Sequence, residues 1–131
     1  MFRNKYLISS VLFPLIDFFY LKLISKHYNK VVKNITGENI KLNYPKAIIA
    51  YLILTFGLNY FVISKLNDGN INQQLINAAL FGLVVYGTFD FTTGAIFEKY
   101  DYSTMIIDTL WGGILSTLIT KLTYHIAKIN P

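Results

Sequence analysis

The sequence contains no cysteine and has few charged residues. Without cysteine the chain can form no disulfide, no thiolate metal site and no cysteine nucleophile. Charged residues make up 15% of its 131 residues, whereas a soluble domain usually carries about 25%. Hydrophobic residues make up 53%, which is more apolar side chain than so small a core can bury. We therefore expect lipid rather than water to surround most of the chain.

The sequence also lacks the short motifs of the common enzyme classes. It has no Walker loop, no dinucleotide-binding fingerprint and no serine–histidine–aspartate set at a shared membrane depth. The net charge is +5, but the lysines lie in short polar segments between apolar runs. That pattern suits anionic lipid headgroups better than nucleic acid. We expect no nucleic-acid partner, and the balance of these observations is against an enzyme.

Four apolar runs dominate the chain, and each is close to the roughly 20 residues that cross a bilayer as a helix. They cover residues 6–24, 44–63, 75–97 and 103–122. Lipid-exposed backbone must satisfy its own hydrogen bonds, so spanning segments are helices or closed barrels. The sequence therefore predicts an all-α integral membrane bundle of four transmembrane helices, with residues 1–131 forming a single domain.

The longest connection, residues 25–46, is rich in lysine. Four apolar residues within it recur at helical spacing: Tyr28, Val31, Val32 and Ile35. The segment is therefore either an extension of the first helix or a helix lying on the headgroups. Gly37 is a natural helix stop. We expect this basic loop to contact anionic lipid headgroups.

Small and polar residues recur every four positions on the later runs and so share one helical face. On the third and fourth runs they include Gly82, Gly112, Ser116 and Thr120. Small residues let two helices approach closely, and hydroxyl groups can bond across the gap. We expect these four residues to form helix-packing seams.

Three aspartates interrupt the apolar runs: Asp17, Asp90 and Asp108. An acid inside a span costs about 2.5–3.5 kcal/mol on insertion scales, so it should face the interior or a cavity. Asp17 and Asp90 each lie seven residues before the end of their run, and Asp108 lies five residues after the start of the fourth. These three ends are on one side of the membrane, so all three acids should lie roughly 8–10 Å in from that side.

We therefore predict one shallow polar pocket, in which three further residues join the aspartates: Tyr51, Tyr86 and Thr93. Three neighbouring carboxylates cannot all stay ionised cheaply, so the pocket should hold a cation or one or more protons. The leading hypothesis is binding or transport of a cation, a proton or a small polar solute, which four helices would support as a homo-oligomer. The alternatives are a membrane-embedded enzyme acting on lipid and a structural or assembly protein. The sequence identifies no particular metal or cofactor.

Three stretches carry a resemblance to a known family: "YGTFDFTTGAIF", "DTLWGG" and "DFFYLKLISKHYNK". The first resembles a tyrosine–x–x–tyrosine–aspartate–leucine–threonine–asparagine motif, the second an aspartate–x–x–tryptophan–glycine motif, and the third a first-helix aspartate followed by a tyrosine. These three motifs are those of the small membrane-protein family described as domain of unknown function 2177. The resemblance covers nearly the whole chain in the same order. It implies a four-helix integral membrane protein and carries no established activity. Phe89 and Thr93 stand where the family commonly has tyrosine and asparagine.

Overall fold

The computed structural model describes residues 3–129 and contains four long α-helices. These are α1 (Lys5–Thr36), α2 (Tyr44–Phe61), α3 (Ile71–Ile96) and α4 (Tyr102–Ile129), with a single 3-10 turn (Ile63–Lys65) after α2. All four helices, α2 together with its 3-10 turn, are long and apolar enough to cross a membrane. Across residues 3–129 the chain forms no strand. The prediction of an all-α bundle of four membrane-spanning helices is confirmed.

α1 continues well beyond the first apolar run. Residues 25–36 complete a helix of 32 residues, about 48 Å long at 1.5 Å per residue, so the basic segment takes the first of its two predicted alternatives, an extension of the first helix. Val31, in this extension, lies in a buried cluster with Tyr100, from the connection between α3 and α4, and Met105 of α4. Gly37 ends the helix with φ 81°, a left-handed conformation that glycine adopts without a Cβ clash. The loop itself is therefore only residues 37–43.

Two other helix ends extend beyond the apolar runs, by four residues at the start of α3 and by seven residues at the end of α4. α2 begins at the predicted residue, where the side chain of Asn43 accepts a hydrogen bond from the backbone N–H of Lys46 at 3.1 Å and Pro45 occupies the first turn. α3 starts at Ile71 and α4 ends at Ile129, each beyond its apolar run at the end that faces the chain termini. Polar residues can continue a helix past the hydrocarbon because they enter the headgroup region.

α4 is the central helix of the bundle. It buries side chains along its whole length, whereas Leu58 is the one residue of α2 that is buried. α4 packs along α3 and against α1, while α2 lies at the edge and packs mainly against α1. Large side chains of α2 point outward, with Leu52 65% and Phe56 68% exposed. A helix that is apolar on its outer face as well as its inner face is typical of a membrane span.

α3 and α4 come closest where Gly82 faces Gly112. A Cβ placed on Gly82 would lie 1.9 Å from the backbone oxygen of Gly112, and one placed on Gly112 would lie 2.3 Å from Cγ of Tyr86. Neither position has room for a larger residue. Ser116 lies at the same crossing, with its Oγ 2.7 Å from the Cβ that Gly82 lacks. One turn further along, Thr120 is fully buried and donates to the carbonyl of Ser116 at 2.8 Å.

Candidate functional site

Asp17 is held by hydrogen-bond donors from two other helices. It lies on α1 and is 6% exposed. The indole Nε1 of Trp111, on α4, donates to Oδ1 at 2.9 Å, and the hydroxyl of Tyr51, on α2, donates to Oδ2. Each carboxylate oxygen therefore has its own donor. Through this one side chain α1 is joined to both α2 and α4.

Asp90 and Asp108 form a carboxyl pair between α3 and α4. Asp90 is fully buried and Asp108 is 8% exposed, and the two groups are close enough to share a hydrogen bond. The hydroxyl of Tyr100 donates to Oδ1 of Asp90 at 2.7 Å. The other oxygen, Oδ2, is buried and receives no N–H or O–H from any residue that the structure describes. A buried polar atom without a partner is costly, and a proton or a polar ligand at this oxygen would supply one.

Two tyrosines of α1 lie beside this pair. The hydroxyl of Tyr20 donates to Oδ1 of Asp108 at 3.4 Å, and its oxygen is 3.4 Å from the hydroxyl oxygen of Tyr28. The ring of Tyr20 stacks on the indole of Trp111, with centroids 4.4 Å apart and planes 5° from parallel. Trp111 also donates to Asp17. We call this set of residues the aspartate network. Its members are Asp17, Asp90, Asp108, Tyr20, Tyr28, Tyr51, Tyr100 and Trp111.

Two residues that the sequence analysis assigned to the pocket make no hydrogen bond to an aspartate. Tyr86 lies close enough to Asp17 and Asp108 to interact with them electrostatically, but its ring packs on Gly112. The hydroxyl of Thr93 donates to the carbonyl of Phe89 on its own helix at 2.8 Å. Threonine in a helix commonly bonds to the carbonyl four residues earlier, which leaves that hydroxyl unavailable to the network.

Four members of the network were absent from the predicted pocket: Tyr20, Tyr28, Tyr100 and Trp111. Trp111 follows Asp108 by three residues and so lies on the same face of α4, which is a signal present in the sequence. Tyr20 bears the same relation to Asp17 on α1. Tyr100 lies in the connection after α3, and no periodicity indicates that its hydroxyl turns back to Asp90.

The end of the network nearest the membrane surface lies beside the α1 extension. Nε2 of His27 forms a hydrogen bond with Oγ1 of Thr104 at 2.7 Å. The backbone N–H of Thr104 donates to Oδ1 of Asp101 at 3.3 Å, where α4 begins. Hydrogen bonding by Thr104 lowers the pKa of Asp101, which lies outside the spans. Asp101 is therefore ionised at neutral pH and can cap the amino end of α4.

The carboxyl groups do not converge on one point. In the part of the chain that the structure describes, no group of three or more His, Cys, Asp or Glu side chains is arranged to hold a metal ion. Asp17 has its own donors, and the remaining pair supplies fewer oxygen ligands than calcium or magnesium usually takes from its surroundings. The pair is better suited to a proton or a small monovalent cation.

Two open grooves lie on the outer surface of the bundle. One, of about 430 Å³, lies between α2 and α3, and the other, of about 440 Å³, lies between α3 and α4. The aspartates line neither groove and are instead buried between the helices. The network and the grooves are therefore separate features of the molecule.

The comparison with protein families agrees with this fold. A family model described as "Predicted membrane protein (DUF2177)" matches residues 2–125, which include the first three helices and most of α4. No curated protein and no solved structure matches the chain. The family predicted from three short stretches of sequence is confirmed. The chain belongs to the DUF2177 family of predicted membrane proteins.

Proposed function

We propose that this membrane protein binds a proton at the Asp90–Asp108 pair and exchanges it with the side of the membrane on which α1 extends. One observation carries the proposal: Asp90 is fully buried beside Asp108, and its Oδ2 has no donor within residues 3–129. Two ionised carboxylates at hydrogen-bond distance repel each other strongly when buried. A proton shared by the pair removes that repulsion and gives Oδ2 a partner.

Tyrosine hydroxyls provide a short route for the proton. Tyr100 donates to Asp90 and Tyr20 donates to Asp108, and Tyr28, two helical turns further along α1, adjoins Tyr20. Asp90 lies six residues before the end of α3, about 9 Å from it at 1.5 Å per residue. Exchange with this side needs no path across the whole bilayer. Transport to the other side would need a further path, for which a homo-oligomer is the expected form.

Asp17 has a different part in this proposal. Trp111 and Tyr51 satisfy its two carboxylate oxygens, so it needs no ligand to complete its hydrogen bonding. We assign it the task of holding α1 against α2 and α4. The structural hypothesis for the aspartates therefore applies to Asp17, and the binding hypothesis applies to Asp90 and Asp108.

Infrared difference spectroscopy of the protein in nanodiscs tests the proposal, because a protonated carboxyl group has a carbonyl stretch that an ionised one lacks. We expect the wild type to show this band and to lose it as the pH is raised, in a titration of one proton. Asp90→Asn and Asp108→Asn should each remove the band. The control Asp101→Asn replaces an exposed carboxylate of the α3–α4 connection and should leave it unchanged.

The other outcomes of this experiment would refute the proposal or give the aspartate pair a different role. A band that survives in both Asp90→Asn and Asp108→Asn would refute the proposal. Loss of the band on adding Na⁺ or K⁺, with the same cation found by native mass spectrometry, would make the pair a cation site. No band in the wild type, together with Asp→Asn variants that no longer fold, would mean that these aspartates only pack helices. Proton uptake by proteoliposomes under a pH gradient then distinguishes transport from binding alone.

A further inference from the structure

A groove between α2 and α3 lies on the outer surface, toward the ends of the helices opposite the aspartate pair. α2 and α3 touch at few points. The ring of Phe81 lies between them, 3.0 Å from the position that a Cβ on Gly57 would occupy. The walls of the groove include Phe61, Leu80 and Val84. Inside a bilayer such an apolar gap is filled by hydrocarbon, because an empty one would lose the packing contacts of its lining.

A lysine that forms no ion pair within residues 3–129 lies at one end of this groove. Lys65, which lines the groove, is exposed and ends the 3-10 turn after α2. The ion pairs within residues 3–129 are Lys41 with Glu38 and Lys128 with Asp68. Lys65 therefore has no carboxylate partner, although Asp68 is only three residues away. Among residues 3–129 no carboxylate forms an ion pair with the positive charge at this end of the groove.

A second cation, Lys5, lies close by, and its ammonium group is already hydrogen-bonded. The ammonium group of Lys5 donates to the carbonyl of Ser64 at 3.1 Å and to that of Leu66 at 3.5 Å. These carbonyls flank Lys65, so two lysines meet at one end of α2. Each lysine near a bilayer surface contributes about 1 kcal/mol to the binding of anionic lipid.

The groove has the depth of one lipid leaflet. Asn77 lines its polar end, six residues after the start of α3, and Val84 lines its inner end, thirteen residues after that start. At 1.5 Å per residue these positions are about 9 Å and about 20 Å along α3. Half of the hydrocarbon core is about 15 Å thick. Lys65 follows the second apolar run, which ends at residue 63, by two residues and so lies near headgroup depth, while the apolar lining extends toward the middle of the bilayer.

We propose that this groove binds one anionic glycerophospholipid, with the phosphate at Lys65 and one acyl chain along Phe61, Leu80 and Val84. The apolar walls accept the acyl chain of any phospholipid. The unpaired lysine selects a headgroup of net negative charge over a zwitterionic one. This site is on the opposite side of the membrane from the lysines of the α1 extension and is independent of the aspartate pair.

Native mass spectrometry of the detergent-purified protein, mixed with equal amounts of phosphatidylglycerol and phosphatidylcholine of identical acyl chains, tests the proposal. We expect the first lipid bound to be mainly phosphatidylglycerol. Lys65→Gln should reduce this preference roughly fivefold, the factor that corresponds to about 1 kcal/mol per lysine. Lys99→Gln removes the same charge on the opposite side and should leave the preference unchanged. Leu80→Trp, which keeps every charge and fills the groove, should reduce the capture of both lipids.

Several outcomes would overturn the proposal. They are equal capture of the two lipids by the wild type, an unchanged preference in Lys65→Gln, and an equal loss in Lys99→Gln. Competition by glycerol phosphate would show that the site recognises phosphate without an acyl chain. Masses at multiples of the chain that disappear in Leu80→Trp would show that a second copy, rather than lipid, occupies the groove. If Lys65→Gln fails to fold, Leu80→Trp still decides whether lipid enters the groove.

Discussion

Replacing Gly82 by alanine should force α3 and α4 apart. The added Cβ would lie 1.9 Å from the backbone oxygen of Gly112 and 2.4 Å from its carbonyl carbon. Both are backbone atoms within a helix, so no change of side-chain rotamer can relieve the overlap. Ordinary contact begins near 3.4 Å, and the helices must therefore separate by about 1.5 Å at this point.

The cost of this separation follows from the packing that it disturbs. Tyr86 rests on Gly112, and both belong to the closest approach of the two helices. Overpacking of this kind costs about 1–3 kcal/mol. Alanine returns at most about 1 kcal/mol, because it is a better helix former than glycine. Because both overlaps are with backbone atoms, the cost should lie near the upper end of that range, and we expect the free energy of unfolding of Gly82→Ala to fall by about 2 kcal/mol.

Unfolding by SDS in mixed micelles, followed by the fluorescence of Trp111, measures this change. The indole stacks on Tyr20 and is the one tryptophan in the chain, so its signal reports the packing of α4 against α1. Gly87→Ala is the matched control on the same helix. Its Cβ would meet Cγ2 of Thr109 at 3.2 Å, a side-chain atom that can shift, so Gly87→Ala should range from no change to a gain of about 1 kcal/mol in helix propensity. Equal stability of Gly82→Ala and Gly87→Ala would refute the reasoning.

Two further predictions concern the ends of helices outside the membrane. Asp101→Ala should lower the free energy of unfolding by about 0.5–2 kcal/mol, because the N–H of Thr104 loses its cap. Hydrogen bonding holds the pKa of Asp101 below its ordinary value of 3.8, so the wild type should keep this contribution above about pH 4 and lose it as the pH falls through the lowered pKa; a pH series on wild type and Asp101→Asn checks this. Gly37→Ala should cost about 1–2 kcal/mol, because alanine resists φ 81°, and faster hydrogen exchange at the end of the α1 extension should report it.

Either of these two predictions can fail in a specific way. If Asp101→Asn matches the wild type at every pH, the charge of the carboxylate contributes nothing to the start of α4. If exchange in the extension is unchanged in Gly37→Ala, the buried cluster of Val31 with Tyr100 and Met105, rather than the helix stop, holds that segment.

The four spans could be predicted from composition because apolar runs of about 20 residues leave lipid as their only suitable solvent. Hydropathy alone does not give the ends of the helices, although local signals predicted the start of α2 at Tyr44, the stop at Gly37 and, as one of two alternatives, the extension of α1. Residues 25–36 are too polar to belong to a span, yet they continue α1. Val31 lies there in a buried cluster with Tyr100 and Met105, and hydropathy does not report contacts between distant segments.

Membrane depth was the part of the site that sequence reasoning could estimate. The rise of 1.5 Å per residue gives each aspartate its height, but it gives no information on how each helix is rotated about its axis. Rotation decides that Asp17 meets Trp111 and that Asp90 meets Asp108. Thr93 lies within one turn of Asp90 and nevertheless bonds to its own helix.

The central position of α4 connects the packing of the bundle to the chemistry of the aspartate pair. Gly112 is four residues after Asp108, one turn away on the same face. A separation of about 1.5 Å at this crossing would move Asp108 away from Asp90 far enough to break a hydrogen bond between them. We therefore expect the infrared band of the shared proton to shift or disappear in Gly82→Ala and to remain in Gly87→Ala. A band unchanged in a Gly82→Ala protein that is measurably destabilised would show that the pair keeps its geometry independently of the crossing.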